Sequence, residues 1–145
     1  MLPQQWKNTI KLYMKGINVM IKNKNNPISK ETAIVCLKNY ISNKKGADFL
    51  DIEMLFNQIG FDYKGTYYLF MINNPSIIAW HGWNMDAIYV VEKILEDKKY
   101  SLALTPAILY IFKGFISKHP VIEGKDINTN YDTFHWAPFK IVFKE

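Results

Sequence analysis

The apolar residues of this 145-residue chain change period after Gly60, and a layer of one kind of secondary structure cannot accommodate both halves of that pattern. Upstream, apolar side chains recur every three or four residues, the spacing of one helix face: Ile34, Leu37 and Ile41, then Ile52, Leu55, Phe56 and Ile59. Downstream, Thr66 to Ile72 and Ile77 to Trp80 are short runs rich in β-formers, joined by Asn73, Asn74, Pro75 and Ser76, and this predicts a hairpin. Helices first and strands later make the fold class α+β.

Capping residues set the boundaries. Ser29 is a candidate N-cap, Glu31 favours the first turn through the helix dipole, and Lys44, Lys45 and Gly46 form a stop signal. Asp51 can cap or precede the next helix, which Gly60 closes. Asn84 reads as the N-cap of a helix through about Asp97, with Ile88, Val91, Ile94 and Leu95 inward and Asp86, Glu92 and Glu96 on an acidic outer face. A second hairpin is expected at Ser101 to Leu104 and Leu109 to Phe112, turning at Thr105 and Pro106. A tail with Pro120, Gly124 and the polar segment Lys125 to Asp132 leads to a last strand, Ile141 to Phe143.

The front of the chain is set apart by charge. Residues 1–30 hold six lysines and no acid, +6, whereas residues 31–145 hold twelve lysines and thirteen acids, −1. From Gln4 to Lys22 the apolar residues Trp6, Ile10, Tyr13, Met14, Ile17, Met20 and Ile21 fall within an arc of roughly 120° at helical spacing. Lys7, Lys11, Lys15 and Lys22 occupy a neighbouring arc of about 80°. The run Lys22 to Pro27 ends this helix, because proline disfavours helical geometry in its predecessor. Two segments follow: residues 1–27 as a basic amphipathic helix with a linker, and residues 28–145 as one domain. The lysine stripe, with Lys24 just beyond it, can grip phosphates, lie on an anionic membrane, or face solvent. The apolar stripe can cover the chain's own core or pair with a second copy as a homodimer.

Several function classes find little support. The longest apolar runs, Tyr67 to Ile72 and Ala107 to Phe112, have six residues each, against the ~20 of a membrane span. The first sixteen residues contain no apolar signal region, and Cys36 alone precludes an intrachain disulfide, so a cytoplasmic location is expected. Cys36 lies in the apolar run AIVCL, where a buried, inert thiol is expected. The three histidines, His81, His119 and His135, are far apart in sequence, so neither metal nor cofactor is expected. No nucleophile elbow, phosphate loop or dinucleotide fingerprint is present, and the pairs Asp51 with Glu53 and Glu92 with Glu96 read as helix surface and caps, which predicts a non-enzymatic protein. Arginine is absent, so bidentate recognition of guanine or carboxylate by a guanidinium is unavailable.

One stretch has two readings. In AWHGWN, Trp80 can pack inward from a strand end while Gly82 turns the chain and Asn84 caps the next helix. Alternatively Trp80, His81 and Trp83 form an exposed aromatic platform that stacks on a base or anchors a protein, extended by Tyr63, Tyr67 and Tyr68.

The order of Ser29 to Asn43 and Asp51 to Ile59 as successive helices, then a later helix and a ribbon at Ser101 to Phe112, resembles a winged-helix or related helix-turn-helix domain. The residues Lys64-Gly65, Ile77-Ile78-Ala79-Trp80, Gly82-Trp83-Asn84, Tyr110, Gly114, Pro120 and His135-Trp136-Ala137-Pro138, spread over about half the chain, are similar to small proteins of bacterial phages and pathogenicity islands. The resemblance implies a winged-helix-like α+β fold with the N-terminal amphipathic helix, three further helices and two β-hairpins. It implies a nucleic-acid-binding or regulatory module of a mobile genetic element, with DNA as partner and Lys7, Lys11, Lys15, Lys22 and Lys24 on phosphates. The alternative is a phage-type inhibitor or adaptor that binds a host protein, such as a nucleic-acid-processing or CRISPR effector.

Overall fold

In the computed structural model, which describes residues 27–145, the chain runs α1 (Lys30–Lys44), β1 (Gly46–Asp48), α2 (Phe49–Ile59), β2 (Lys64–Met71), β3 (Asn74–Trp83), α3 (Met85–Glu96), β4 (Tyr100–Leu104), α4 (Ala107–Phe112), β5 (His135–Trp136) and β6 (Phe139–Phe143). The expected N-terminal helix, with Lys7, Lys11, Lys15, Lys22 and Lys24, lies outside the described residues. Among the described residues the fold is α+β, with four helices and two three-stranded sheets. None of these helices is long and apolar enough to cross a membrane.

Local chemistry starts and ends each long helix. The Ser29 hydroxyl accepts from the Thr32 amide at 3.1 Å, and Lys45 ends α1 in a left-handed conformation. At α2 the cap is Asp48, three residues ahead of the expected Asp51. Asp48 accepts from the Asp51 amide at 2.8 Å while the Asp51 carboxylate accepts from the Asp48 amide at 2.9 Å, a reciprocal capping box closed at the far end by left-handed Gly60. Asn84 caps α3 by accepting from the Ala87 amide at 2.9 Å.

The first sheet has the order β1-β6-β4, all antiparallel, so the last strand fills the centre with Gly46 opposite Val142 and Leu104 opposite Phe139. The second has the order β2-β3-β5, with β2 antiparallel and β5 parallel to β3. The β2–β3 hairpin turns at Ile72 and Asn73, and the expected turn residues Asn74, Pro75 and Ser76 belong to β3. Asn74 is buried, its amide donating to the Ile127 and Thr129 carbonyls and thereby tying the long 113–134 segment to the hairpin.

The second hairpin does not form. Ser101 to Leu104 is a strand, but it pairs with β6, and Leu109 to Phe112 belongs to the short helix α4. A six-residue apolar run carries no period that separates strand from helix, and here the long-range partner decides. Helix α4 sends Tyr110 inward, where its hydroxyl donates to the Phe139 carbonyl at 2.6 Å and accepts from the Phe49 amide at 3.0 Å.

The core joins both sheets. Leu37, Ile41, Phe49, Ile52, Leu55, Phe56, Ile94 and Ile141 are fully buried in it, and Ile28, Leu50 and Phe143 pack at its margin. Cys36 is buried there and its thiol is pushed up to about 11 by loss of solvation, which keeps it protonated and inert.

Candidate nucleic-acid interface

The turn around His81 divides its aromatic residues between core and surface. Along β3, Trp80 and Trp83 point inward: Trp80 stacks on Phe49 with ring centroids 5.5 Å apart, and Trp83 meets Phe49 and Phe56 edge-on or tilted, each at 5.6 Å. Both indoles donate to Oε2 of Glu53, at 2.8 and 2.9 Å. Their faces are occupied and their polar edges satisfied, which corrects the expectation that Trp80 and Trp83 offer rings for stacking. Of the reading of Asp51 and Glu53 as helix surface and caps, the capping part holds and the surface part does not. Asp51 is buried in the capping box, and Glu53 is half-buried under the two indoles.

His81 lies on the face opposite Trp80, as strand alternation requires. Left-handed Gly82, an extra residue between the Tyr68–His81 and Tyr67–Trp83 pairs, breaks the alternation so that Trp83 turns inward again. The His81 ring stands 5.5 Å from Tyr68 on β2 and 6.1 Å from His119, and Tyr68 stands 5.9 Å from His119. Phe70 extends the group at 5.7 Å from Tyr68, and Phe134 lies 5.3 Å from Phe70 and 6.4 Å from His119. These rings come from β2, β3 and both ends of the 113–134 segment. The contacts are edge-to-face or tilted, so the cluster is ruffled. Tyr68 and Phe134 are exposed, as is Tyr67, which precedes Tyr68 on β2 but registers against Trp83; Tyr63 is buried.

Electrostatically the cluster is neutral at its centre and basic at its edge. Partial burial, then the proximity of His119 and Lys118, lowers the His81 pKa below the ordinary histidine value, so the ring is uncharged near neutral pH. Lys118 is exposed beside His119, and Lys64, also exposed, opens β2. Among the described residues, no three His, Cys, Asp or Glu side chains come together as metal ligands. Sequence reasoning found His81, Tyr67 and Tyr68 but missed Phe70, His119 and Phe134. Only the fold brings the last two, which stand in an irregular segment, against the hairpin.

A second exposed surface stands on α4. With Tyr110 buried, the helix turns Ile108, Leu109, Ile111 and Phe112 outward, Phe112 to 78% exposure, and Ile116 follows at 84%. Lys113 then reaches inward to Asp48 at 2.5 Å and Asp51 at 2.9 Å, fastening α4 to the capping box of α2. Comparison with known protein families, curated proteins and solved structures finds no match to this chain.

Proposed function

We propose that this protein is a non-enzymatic nucleic-acid-binding module of a mobile genetic element, stacking unpaired bases on the Tyr68–His81–His119–Phe134 face and holding phosphates with lysine. The observation that carries the reading is this exposed aromatic cluster with Lys118 at its edge. Every base has a π-face, so aromatic stacking is tolerant of sequence, and it suits a chain that has no arginine to read guanine. Lys7, Lys11, Lys15, Lys22 and Lys24 supply the salt-sensitive grip on the backbone. In the winged-helix version of this reading, α1 and α2 are the successive helices and α3 the later one, but the expected ribbon at Ser101 to Phe112 does not form and the β2–β3 hairpin separates α2 from α3. The acidic outer face of α3 suits a recognition helix poorly, so the aromatic face and the lysines carry the contact.

The test is fluorescence anisotropy of labelled single- and double-stranded DNA across a salt series. Single-stranded DNA is expected to bind more tightly, with affinity falling as salt rises. Tyr68→Ala with Phe134→Ala is expected to weaken it by at least roughly 30-fold, since each of the two stacked bases lost contributes about 1–3 kcal/mol. Lys7, Lys11 and Lys15 changed to Gln should flatten the salt dependence. No binding at low salt, or binding indifferent to the aromatic pair, overturns the reading.

A second reading is favoured by the α4 surface. Contiguous exposed Ile108, Ile111, Phe112 and Ile116 fit an inhibitor or adaptor that docks this ridge into an apolar groove of a host protein. Phe112→Ser separates the two readings, because it abolishes capture of such a partner and leaves DNA affinity unchanged.

A further inference from the structure

Two of the chain's histidines meet on the aromatic face. His81 projects from β3 opposite Tyr68, and His119 comes from the 113–134 segment, their ring centroids 6.1 Å apart and their planes at 86°. Among the described residues, neither imidazole makes a hydrogen bond through a ring nitrogen, and no carboxylate pairs with His81, His119 or Lys118. His135 is the contrast: its Nδ1 lies 2.9 Å from the Thr133 carbonyl oxygen and its ring stacks on Tyr131.

The backbone holds both rings in place. The Ser117 hydroxyl donates to the His119 carbonyl at 2.8 Å and accepts from the His119 amide at 3.1 Å. The next carbonyl, of Pro120, accepts from the Trp136 amide at 2.8 Å, which fastens this stretch to β5. His81 is fixed by the β2–β3 ladder, and Tyr68 on β2 stands against both histidines, at 5.5 and 5.9 Å. Groups positioned before a ligand arrives lose little freedom on binding it.

We propose that His81 and His119, with Lys118 beside them, form an oxyanion site that takes up a phosphate group together with a proton. Taking this face as a contact surface rests on the proposed function, and a phosphate held here makes that contact depend on pH. Partial burial, then His119 and Lys118, keep the His81 ring uncharged near neutral pH. An anion among these groups offsets the repulsion and favours the imidazolium, in which both ring nitrogens are donors. Charge-assisted bonds of about 2.7–2.9 Å bring both rings within reach of one tetrahedral anion. The same positive neighbours oppose a metal cation. By linkage, affinity for the anion is lowest above the ordinary histidine value of 6.5, rises as pH falls through it, and levels once free His81 is charged.

The oxyanion can come from a nucleic-acid backbone or from a free phosphate-bearing molecule, and two probes on the full chain distinguish them. In the first, the His81 C2–H resonance is followed against pH in sodium sulfate and in sodium chloride of equal ionic strength, with His135 as the reference for ionic effects. Sulfate is expected to raise the His81 midpoint by about 0.5–1 unit, a roughly 3- to 10-fold preference for the protonated form. His119→Gln should diminish that shift, and so should Lys118→Gln, whose exposed position spares the fold. Equal His81 midpoints in the two salts overturn the proposal.

The second probe is a labelled abasic deoxyribose-phosphate decamer, read by anisotropy at fixed salt from about pH 8 to about pH 5.5; about tenfold tightening is expected. His81→Gln with His119→Gln should remove most of it, and a gain that survives in this variant overturns the proposal. A sulfate shift without tightening of the strand supports the site and assigns it to a free phosphate-bearing molecule. If a thymidine decamer binds no better than the abasic strand while acid still tightens both, base stacking fails and the phosphate site stands.

Discussion

The indole N–H groups of Trp80 and Trp83 converge on one oxygen of Glu53, at 2.8 and 2.9 Å. A single carboxylate on α2 thereby holds two tryptophans of β3, and with them the strand whose other face carries His81. Glu53→Leu removes the acceptor and leaves two indole donors without a partner, one in a residue 3% exposed and the other in a residue 1% exposed. The expected loss is about 2–4 kcal/mol, read as a lower urea midpoint with unchanged slope. Glu53→Gln keeps an acceptor oxygen and should retain most of the stability.

Tyr110 makes a comparable link between α2 and β6, accepting from the Phe49 amide and donating to the Phe139 carbonyl. Its environment, burial first and the negative charge of Asp48 second, pushes the phenol pKa upward, so the hydroxyl stays a donor at any pH the fold survives. Tyr110→Phe preserves the ring packing and orphans both backbone groups. We expect about 2 kcal/mol of destabilisation by denaturant unfolding, with the near-ultraviolet circular dichroism little changed.

The parts of this fold that were legible in the sequence are those decided within a few residues. Ser29, Asn84 and Gly60 sit where cap chemistry and apolar spacing agree. Asp51 is the third residue of α2 rather than its cap, because a capping box pairs two acids three residues apart, and only the amide each accepts from tells cap from third residue. Sheet partners were not legible: β4 pairs with a strand about forty residues later, and nothing in Ser101 to Leu104 names it. The candidate interface divides the same way. Strand alternation separates His81 from Trp80, whereas His119 and Phe134 reach Tyr68 only through a long connection anchored at Asn74.

Lys113 faces Asp48 and Asp51, both 8% exposed. Burial opposes the lysine's charge, but the hydrogen bonds to the two carboxylates outweigh it and hold the ammonium above the ordinary lysine value of 10.5. The ion pair's contribution is therefore fully present at neutral pH and is lost only as pH rises through that raised value. For Asp51 the sign is opposite: burial and the neighbouring Asp48 charge raise its pKa, with Lys113 offsetting only part. Lys113→Ala leaves two carboxylates close together, and we expect about 2–3 kcal/mol of destabilisation at pH 7, the low end for a broken buried pair because the lysine is 30% exposed. That deficit should shrink as pH falls through the raised folded value toward the ordinary carboxylate range, since the folded variant then binds a proton more tightly than the unfolded chain. Thermal unfolding of both proteins between pH 7 and pH 4 measures it.

Gly65 occupies the tightest backbone approach of the hairpin. Lys64 and Tyr67 both register against Trp83, so Gly65 and Thr66 bulge out of the ladder. A Cβ on Gly65 would lie 2.6 Å from the Trp83 carbonyl oxygen and 2.7 Å from both the amide nitrogen and the Cα of Asn84. Every one of these atoms is backbone, and Asn84 is already fixed: its amide donates to the Tyr63 carbonyl at 2.7 Å while its side chain caps α3. No flexible group can yield, so the strand must move or the cap must break. Gly82 gives the internal comparison, because its φ is +86° but a Cβ there meets open space, leaving only left-handed strain of about 1–2 kcal/mol. Gly65→Ala is expected to cost about 2–3 kcal/mol and to raise amide exchange in the first turn of α3. Gly82→Ala should cost less and leave α3 protected. Hydrogen exchange on the two variants separates a clash transmitted to the Asn84 cap from strain confined to the turn, and equal exchange in α3 would show that the bulge absorbs the added carbon.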